Sequence, residues 1–297
     1  MARTGKYAII CFSGTGNTQF VSDELRKRLE DEGYFCNIYH ADRIWASCGR
    51  GPGFRGDRNL AAYRMRDLTS DADSVILSFP TYASDVPDPI KSLIDLMPAG
   101  NGKSVSVVST VGLIGGDACL IPIRTLERRG YRPVYAGYVR MPNNLKVPPL
   151  DIFRIRNGKD LDRFYDSAGE KIDKISRILM EGKPSFEGAG LGSVLIGLVQ
   201  RSSNKLMAEL FRRGLEASDT CVGCGLCVST CPAGNITRTG KKPVFGKRCC
   251  HCLRCYNFCP VEAIQFTKRT KDAAKYPRYR GFADWKPPRL YSAARTD

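Results

Sequence analysis

Along the first part of the chain, short apolar runs alternate with stretches whose apolar residues recur every three or four positions. Residues 7–12 (YAIICF) form an unbroken apolar run, the pattern of a strand buried on both faces. A polar, glycine-containing turn at 13–18 (SGTGNT) follows, then Phe20, Val21, Leu25 and Leu29 at helical spacing. Further strands are expected at 35–40, 74–79, 104–110 and 134–139. Between them, Ile90, Leu93, Ile94 and Met97 mark one helix, and Ile121 and Leu126 another. Leu161, Tyr165, Ala168, Ile172, Ile175 and Leu179 share one face of a longer helix. Strands alternating with helices predict an α/β fold, a doubly wound parallel five-stranded sheet over residues 1–181.

The pattern then changes. The stretch EGKPSFEGAG opens a linker assigned to 182–217. In it Leu191, Leu195, Leu198, Val199, Leu206 and Leu210 fall at near-helical steps among Arg201, Lys205, Arg212 and Arg213. Such a helix either lies on a membrane or packs one domain on another; Gly192 and Gly197 within it favour packing. A cysteine-rich segment occupies 218–267, and a basic tail with Tyr276, Tyr279, Phe282, Trp285 and Tyr291 occupies 268–297.

The chain has 297 residues and a formal charge of +16, a balance that points to an anionic partner. It has thirteen cysteines, yet its start does not read as a signal peptide. Its longest apolar stretch, 191–199, is far short of the roughly 20 residues that span a bilayer. A disulfide framework is therefore not expected, and the thiols are placed in a reducing cytoplasm.

Eight of those cysteines form two matched ladders. Cys221, Cys224, Cys227 and Cys231 are followed by Pro232; Cys249, Cys252, Cys255 and Cys259 by Pro260. Structural zinc takes four thiolates, often as two C-x-x-C pairs, and has no use for a third cysteine at the same step in each run. The repeated C-x2-C-x2-C-x3-C-P resembles the bacterial two-cluster ferredoxins. That resemblance implies two [4Fe–4S] clusters with crossed ligation. Cys221, Cys224, Cys227 and Cys259 would hold one, and Cys249, Cys252, Cys255 and Cys231 the other. Cys250 is read as a packed thiol, and His251 as loop rather than as a residue that tunes a cluster.

At the other end, strand, hydroxyl-and-glycine turn and helix make the geometry of a phosphate site. There is no G-x-x-x-x-G-K-[ST], and Gln19 stands where a dinucleotide fingerprint needs a small residue. The turn instead resembles the flavodoxin pattern [ST]-x-T-G-N-T. This implies FMN, with Ser13, Gly14, Thr15, Gly16, Asn17 and Thr18 around its phosphate. In that fold the ligand sits beyond the carboxyl ends of the first and third strands. Pro80, Thr81, Tyr82 and Ala83 would flank the ring, with Tyr82 covering it. The glycine-rich loop after the fourth strand (Thr110, Val111, Gly112, Gly115, Gly116) would approach it closely. The insertion at 141–159 either covers the flavin edge or, the reading favoured, is a surface loop; the segment at 47–59 reads as a connection.

Taken whole, the order resembles the flavodoxin–ferredoxin fusion proteins of anaerobic bacteria and archaea. It implies an intracellular electron-transfer protein working between FMN, two [4Fe–4S] clusters and an external redox partner, expected to be acidic given the basic charge. The alternative is an FMN-dependent reductase of a small organic substrate or metal centre, fed by its own ferredoxin segment. Lys241, Lys242, Lys247, Arg248 and Arg254 near the ladders are expected to favour the reduced clusters. No nucleic-acid fold is matched, so nucleic acid is not favoured as the tail's partner, nor is a membrane surface. No catalytic residue and no oligomeric state are assigned.

Overall fold

The computed structural model describes residues 5–49, 56–148, 151–282 and 285–293; for 203–208 and 210–213 it describes the backbone alone. The expected alternation is present. β1 (Lys6–Cys11) leads to α1 (Asn17–Asp31), and β2 (Phe35–His40) to α2 (Ala41–Ser47) and α3 (Arg58–Ser70). β3 (Ser74–Pro80) leads to α4 (Asp88–Ile94), and β4 (Ser104–Val111) to α5 (Leu120–Glu127). β5 (Arg132–Arg140) runs through a long excursion into α6 (Asp162–Glu181), and β6 (Ser185–Phe186) follows. The strands lie in the order β2-β1-β3-β4-β5-β6, with every pair parallel. The first five follow the flavodoxin-like order, and the sheet reverses direction between β1 and β3.

Two features differ from expectation. The sheet has six strands, because Ser185 and Phe186 pair with Tyr135 and Ala136 from inside the expected linker. Two residues are too few to carry a periodicity. The stretch expected as a connection at 47–59 runs into α3 at Arg58, capped by Asp57, whose carboxylate accepts from the N–H groups of Asn59 and Leu60. Residues 50–55 of that stretch lie outside the described residues.

Successive strand residues face opposite sides, so Ile9 and Ile10 enter different cores. Ile10, Phe12, Leu77 and Phe79 pack with Trp45, Ile90 and Leu93. Ile9, Cys11, Ile76 and Val108 pack with Leu25 and Leu29 of α1 and with Ile172 and Ile175 of α6. The first core continues through Val228, Cys231, Ile236 and Cys252, so the cysteine segment shares the interior of the α/β unit.

The linker helix is present as α7 (Leu191–Gly214), but it turns its polar side inward. Gly197 sits so close to Asp117 that a Cβ there would come within 2.1 Å of its carboxylate. Arg201 pairs with Asp117 at 2.6 Å and donates to the Ser84 carbonyl. Leu191, Leu195, Leu198 and Val199 are left in solvent, which corrects the expectation that this apolar face packs one domain on the other. The side chains of Leu206 and Leu210 lie outside the described residues. Among the described residues no helix is long and apolar enough to cross a membrane.

After α7 the chain builds a small unit. β7 (Glu216–Ala217) precedes α8 (Leu226–Thr230), the hairpin strands β8 (Ile236–Thr239) and β9 (Lys242–Phe245), α9 (Arg254–Asn257) and β10 (Ile264–Gln265). β7 and β10 pair antiparallel over a core of Leu215, Tyr256, Ile264 and Phe266. The tail then crosses both units. The Arg278 guanidinium stacks 3.4 Å from the Tyr256 ring centre, and Tyr279 donates to Asn17 Oδ1 at 2.5 Å. Phe282 meets Phe20 and Tyr165 at 4.4 and 4.5 Å, and Trp285 meets Phe258 at 5.3 Å. These aromatics are engaged within the chain.

Candidate functional site

The turn after β1 is tied to its neighbours. Gly16 has φ 101°, a left-handed conformation that favours glycine, and its N–H donates to Ser13 Oγ at 3.1 Å. The Thr18 hydroxyl lies 2.7 Å from that of Thr110 at the end of β4. Asn17 donates to the Pro142 carbonyl at 2.9 Å, and Asn144 to Thr15 Oγ1 at 2.7 Å. The loops after β4 and β5 are thus fastened to the turn that begins α1.

The carboxyl ends of these strands surround a cavity of about 610 Å³, within the range of small-molecule sites. From the turn, Ser13, Gly14, Thr15, Asn17 and Thr18 line it. From β3 and its loop come Pro80, Thr81, Tyr82 and Ala83; from β4 come Thr110, Val111 and Gly112. Gly16, Gly115 and Gly116 do not reach the wall. Gly16 lies under the Trp285 ring, and a Cβ on Gly115 would strike the ring of Tyr138. One on Gly116 would meet Ser84 and Gly197, so those two glycines serve packing, not a close approach to a ligand. The insertion after β5, expected as a surface loop, contributes Asn143, Asn144, Phe153, Arg154 and Arg156, and α6 adds Arg163 and Phe164. The arginines carried no motif and so gave no signal in the sequence.

The residues fit a ligand with a phosphate and a flat ring. Hydroxyls and α1's first N–H groups supply neutral donors at one end, and two loops face each other beyond it. A Cβ on Gly112 would find nothing nearer than Asn143 at 3.9 Å, so the wall there is open. Ala83 and Ser84 both hold positive φ (50° and 56°) in the turn closed by Tyr82 and Asp85, backbone strain of the kind kept at ligand sites. The Tyr82 hydroxyl is buried without a hydrogen-bond partner.

The cysteines line two separate cavities. Cys221, Cys224, Cys227 and Cys259 line one; Cys231, Cys249, Cys252 and Cys255 line the other. Burial first, and then the neighbouring thiols, push Cys227 up to about 12 and Cys231 up to about 11. Thiolates so placed ask for bound positive charge, which fits an iron–sulfur donor set. Among the described residues no three His, Cys, Asp or Glu side chains gather to hold a single ion. A cube of four irons takes one thiolate at each iron and so spreads its ligands apart. Cys250, expected only to pack, lies beside Cys252 and lowers that thiol's pKa below its ordinary value.

The two ladders share a backbone but not its residues. In the first, Gly223 and Gly225 take φ 68° and 70°; at the matching positions of the second, His251 and Leu253 take 57° and 61°. Side chains stand at positive φ where glycine would be free of strain. His251 and Leu253, with Leu145, line both the large cavity and that of Cys231, Cys249, Cys252 and Cys255. Gly14 is pressed to the same place: a Cβ there would lie 2.7 Å from the Cys252 carbonyl and 2.8 Å from the Tyr82 hydroxyl. Arg254 does not stand free beside the ladder: it is buried against Asp42 at 2.5 Å. Lys242 likewise pairs with Asp219, at 2.8 Å.

Residues 218–237 match the 4Fe-4S binding domain family. A ferredoxin from Pyrobaculum islandicum is 34% identical over 73 residues, 23% of this chain and 68% of that one. Over that length the chain belongs to the ferredoxin family, with a 4Fe–4S binding segment and an electron-transfer role. Ahead of that segment the same chain carries a sheet of flavodoxin-like strand order.

Structural likenesses are slight. The NAD(P)H:quinone oxidoreductase of Methanothermobacter marburgensis is 13% identical, over 59% of this chain and 96% of that chain, with a TM-score of 0.41. For the two-electron reduced flavodoxin of Megasphaera elsdenii the values are 15%, 56%, 98% and 0.35. The rubredoxin oxygen:oxidoreductase of Desulfovibrio gigas is 15% identical, with a TM-score of 0.38 over 60% of this chain; the match spans only 36% of that protein.

Proposed function

We propose that the chain passes electrons between FMN, held in the large cavity, two [4Fe–4S] clusters, held in the two cysteine cavities, and an external redox protein. Cys221, Cys224, Cys227 and Cys259 hold one cluster; Cys249, Cys252, Cys255 and Cys231 hold the other. The observation that carries this reading is the shared wall: single side chains, His251, Leu253 and Leu145, border both the large cavity and the second cysteine cavity. When bound, FMN exchanges electrons in pairs and the clusters exchange them singly, so the chain connects two kinds of redox chemistry.

The protein's part is placement. The turn at Ser13–Thr18 fixes one end of the flavin, and the Tyr82 and Gly112 loops bracket the ring. His251, Leu253 and Leu145 keep water from the gap. The +16 charge supports an acidic redox partner, steered to the surface by long-range attraction. The chain, reconstituted without oxygen, is expected to hold about eight irons and one FMN. Material that takes up neither overturns the reading. Electron exchange with an acidic partner is expected to slow steeply with added salt.

Leu113 and Ile114 line the cavity and are exposed, so its mouth is open. This favours, second, an FMN-dependent reductase of a small organic molecule fed by its own clusters. Flavin reoxidation that turns over with added substrate tests it.

A further inference from the structure

We propose that Arg156 and Arg163 form an anion clamp that reads the phosphate of the bound flavin and makes this chain select FMN over riboflavin. The inference rests on the reading that the cavity takes a flavin.

Both guanidinium groups stand against one ring: Arg163 Cζ lies 5.2 Å and Arg156 Cζ 6.0 Å from the centre of Phe164. All three residues line the cavity. Two positive charges flanking one ring repel each other. Among the described residues neither arginine has a carboxylate within ion-pair distance, whereas Arg154 between Phe153 and Ile155 reaches Asp160 at 3.7 Å. The pair lacks a negative charge, and the cavity is where one would enter.

The neighbours place this pair at the turn end of the cavity. Ile155, next to Arg156, and Tyr165, next to Phe164, pack with Tyr279. The Tyr279 hydroxyl donates to Asn17 in the turn. Tyr165 also meets Phe20, in the first turns of α1, at 5.1 Å. Chain neighbours of the arginines therefore stand beside the start of α1, and the arginines line the same cavity as the turn. The turn SGTGNT contains no lysine or arginine, so its donors are all neutral. A phosphate carries about −1.5 to −2 charge at neutral pH, and guanidinium is its matched counterion. The insertion and α6 bring the positive charge that the turn lacks.

The test is titration of the flavin-free, full-length chain with FMN and with riboflavin, followed by flavin fluorescence. Arg156→Ala with Arg163→Ala is expected to weaken FMN binding by about thirtyfold or more and riboflavin binding by less than about threefold. Arg156→Lys with Arg163→Lys should recover part of the FMN affinity. Added salt should weaken FMN binding in the unaltered chain and leave riboflavin binding unchanged. Thermal unfolding checks the fold; if the alanine pair unfolds, the lysine pair and the salt titration decide. Unchanged FMN affinity, equal losses for both flavins, or riboflavin bound as tightly as FMN by the unaltered chain overturns the clamp and leaves the flavin site standing. Binding of neither flavin by the unaltered chain overturns both.

Discussion

Arg254 Nη2 lies 2.5 Å from Asp42 Oδ2, with the side chains 2% and 3% exposed, and this pair joins the second cysteine ladder to the α/β unit. The same guanidinium donates to the carbonyls of Ser13 at 2.6 Å and of Gly14 and Thr230 at 3.3 Å. One side chain thus touches the turn after β1, α2 and both ladders. Removing one partner of a buried pair strands the other, at a cost of about 3–5 kcal/mol. Arg254→Met is expected to lose stability on that scale in urea unfolding of the cluster-loaded chain. Replacing both, Arg254→Met with Asp42→Leu, should lose clearly less than the sum of the single changes. Additive losses would mean that the pair does not act as a unit.

Gly14 leaves no room for a side chain between Cys252 and Tyr82. Both near atoms belong to structured neighbours, one of them backbone, so the turn itself must shift. Gly14→Ala should lower stability by about 1–3 kcal/mol and loosen flavin binding, read as flavin content after gel filtration. An alanine variant with full flavin content would show that the turn and the ladder are not in contact.

The partition of the cysteines predicts which losses travel together. Cys221→Ser and Cys259→Ser, 38 positions apart in number, border one cavity and should damage the same cluster. The double variant should keep about half of the iron, with a single remaining cluster signal by electron paramagnetic resonance. Cys231→Ser with Cys249→Ser should spare the other half. If Cys221→Ser with Cys231→Ser spares one cluster instead, each ladder holds its own.

Alkaline pH should destabilise the fold through its buried thiols. Desolvation pushes Cys11 and Cys36 up from 9.0 to about 12, so the folded state keeps protons that the unfolded chain releases. Stability from these groups is level below about pH 9 and falls between about 9 and 12, by up to about 1.4 kcal/mol per pH unit per thiol. Cys11→Ala should make that decline shallower in unfolding measured across the window. An unchanged slope would show that Cys11 ionises as easily folded as unfolded.

How much was legible follows the distance over which each feature is specified. The ladders can be read because C-x2-C-x2-C lies within one short loop, where covalent geometry alone brings the sulfurs to a common reach. The turn at 13–18 and the strands of the sheet are local in the same sense. Periodicity also found α7, but not which of its faces turns inward. That was decided by Gly197 and Arg201 meeting Asp117, which lies on another part of the chain.

By itself, then, the sequence determined a doubly wound sheet that opens on a glycine- and hydroxyl-rich turn, and a segment with two sets of cluster-type cysteines. The tertiary structure alone decided how they meet. Arg254 and Asp42 are 212 residues apart, and no local pattern can announce a pair that exists only when two units share one interior. The same holds for the insertion over the cavity and for His251 and Leu253 in the dividing wall. Their roles depend on what lies across a gap in space, and the free energy of filling that gap leaves no periodic trace along the chain.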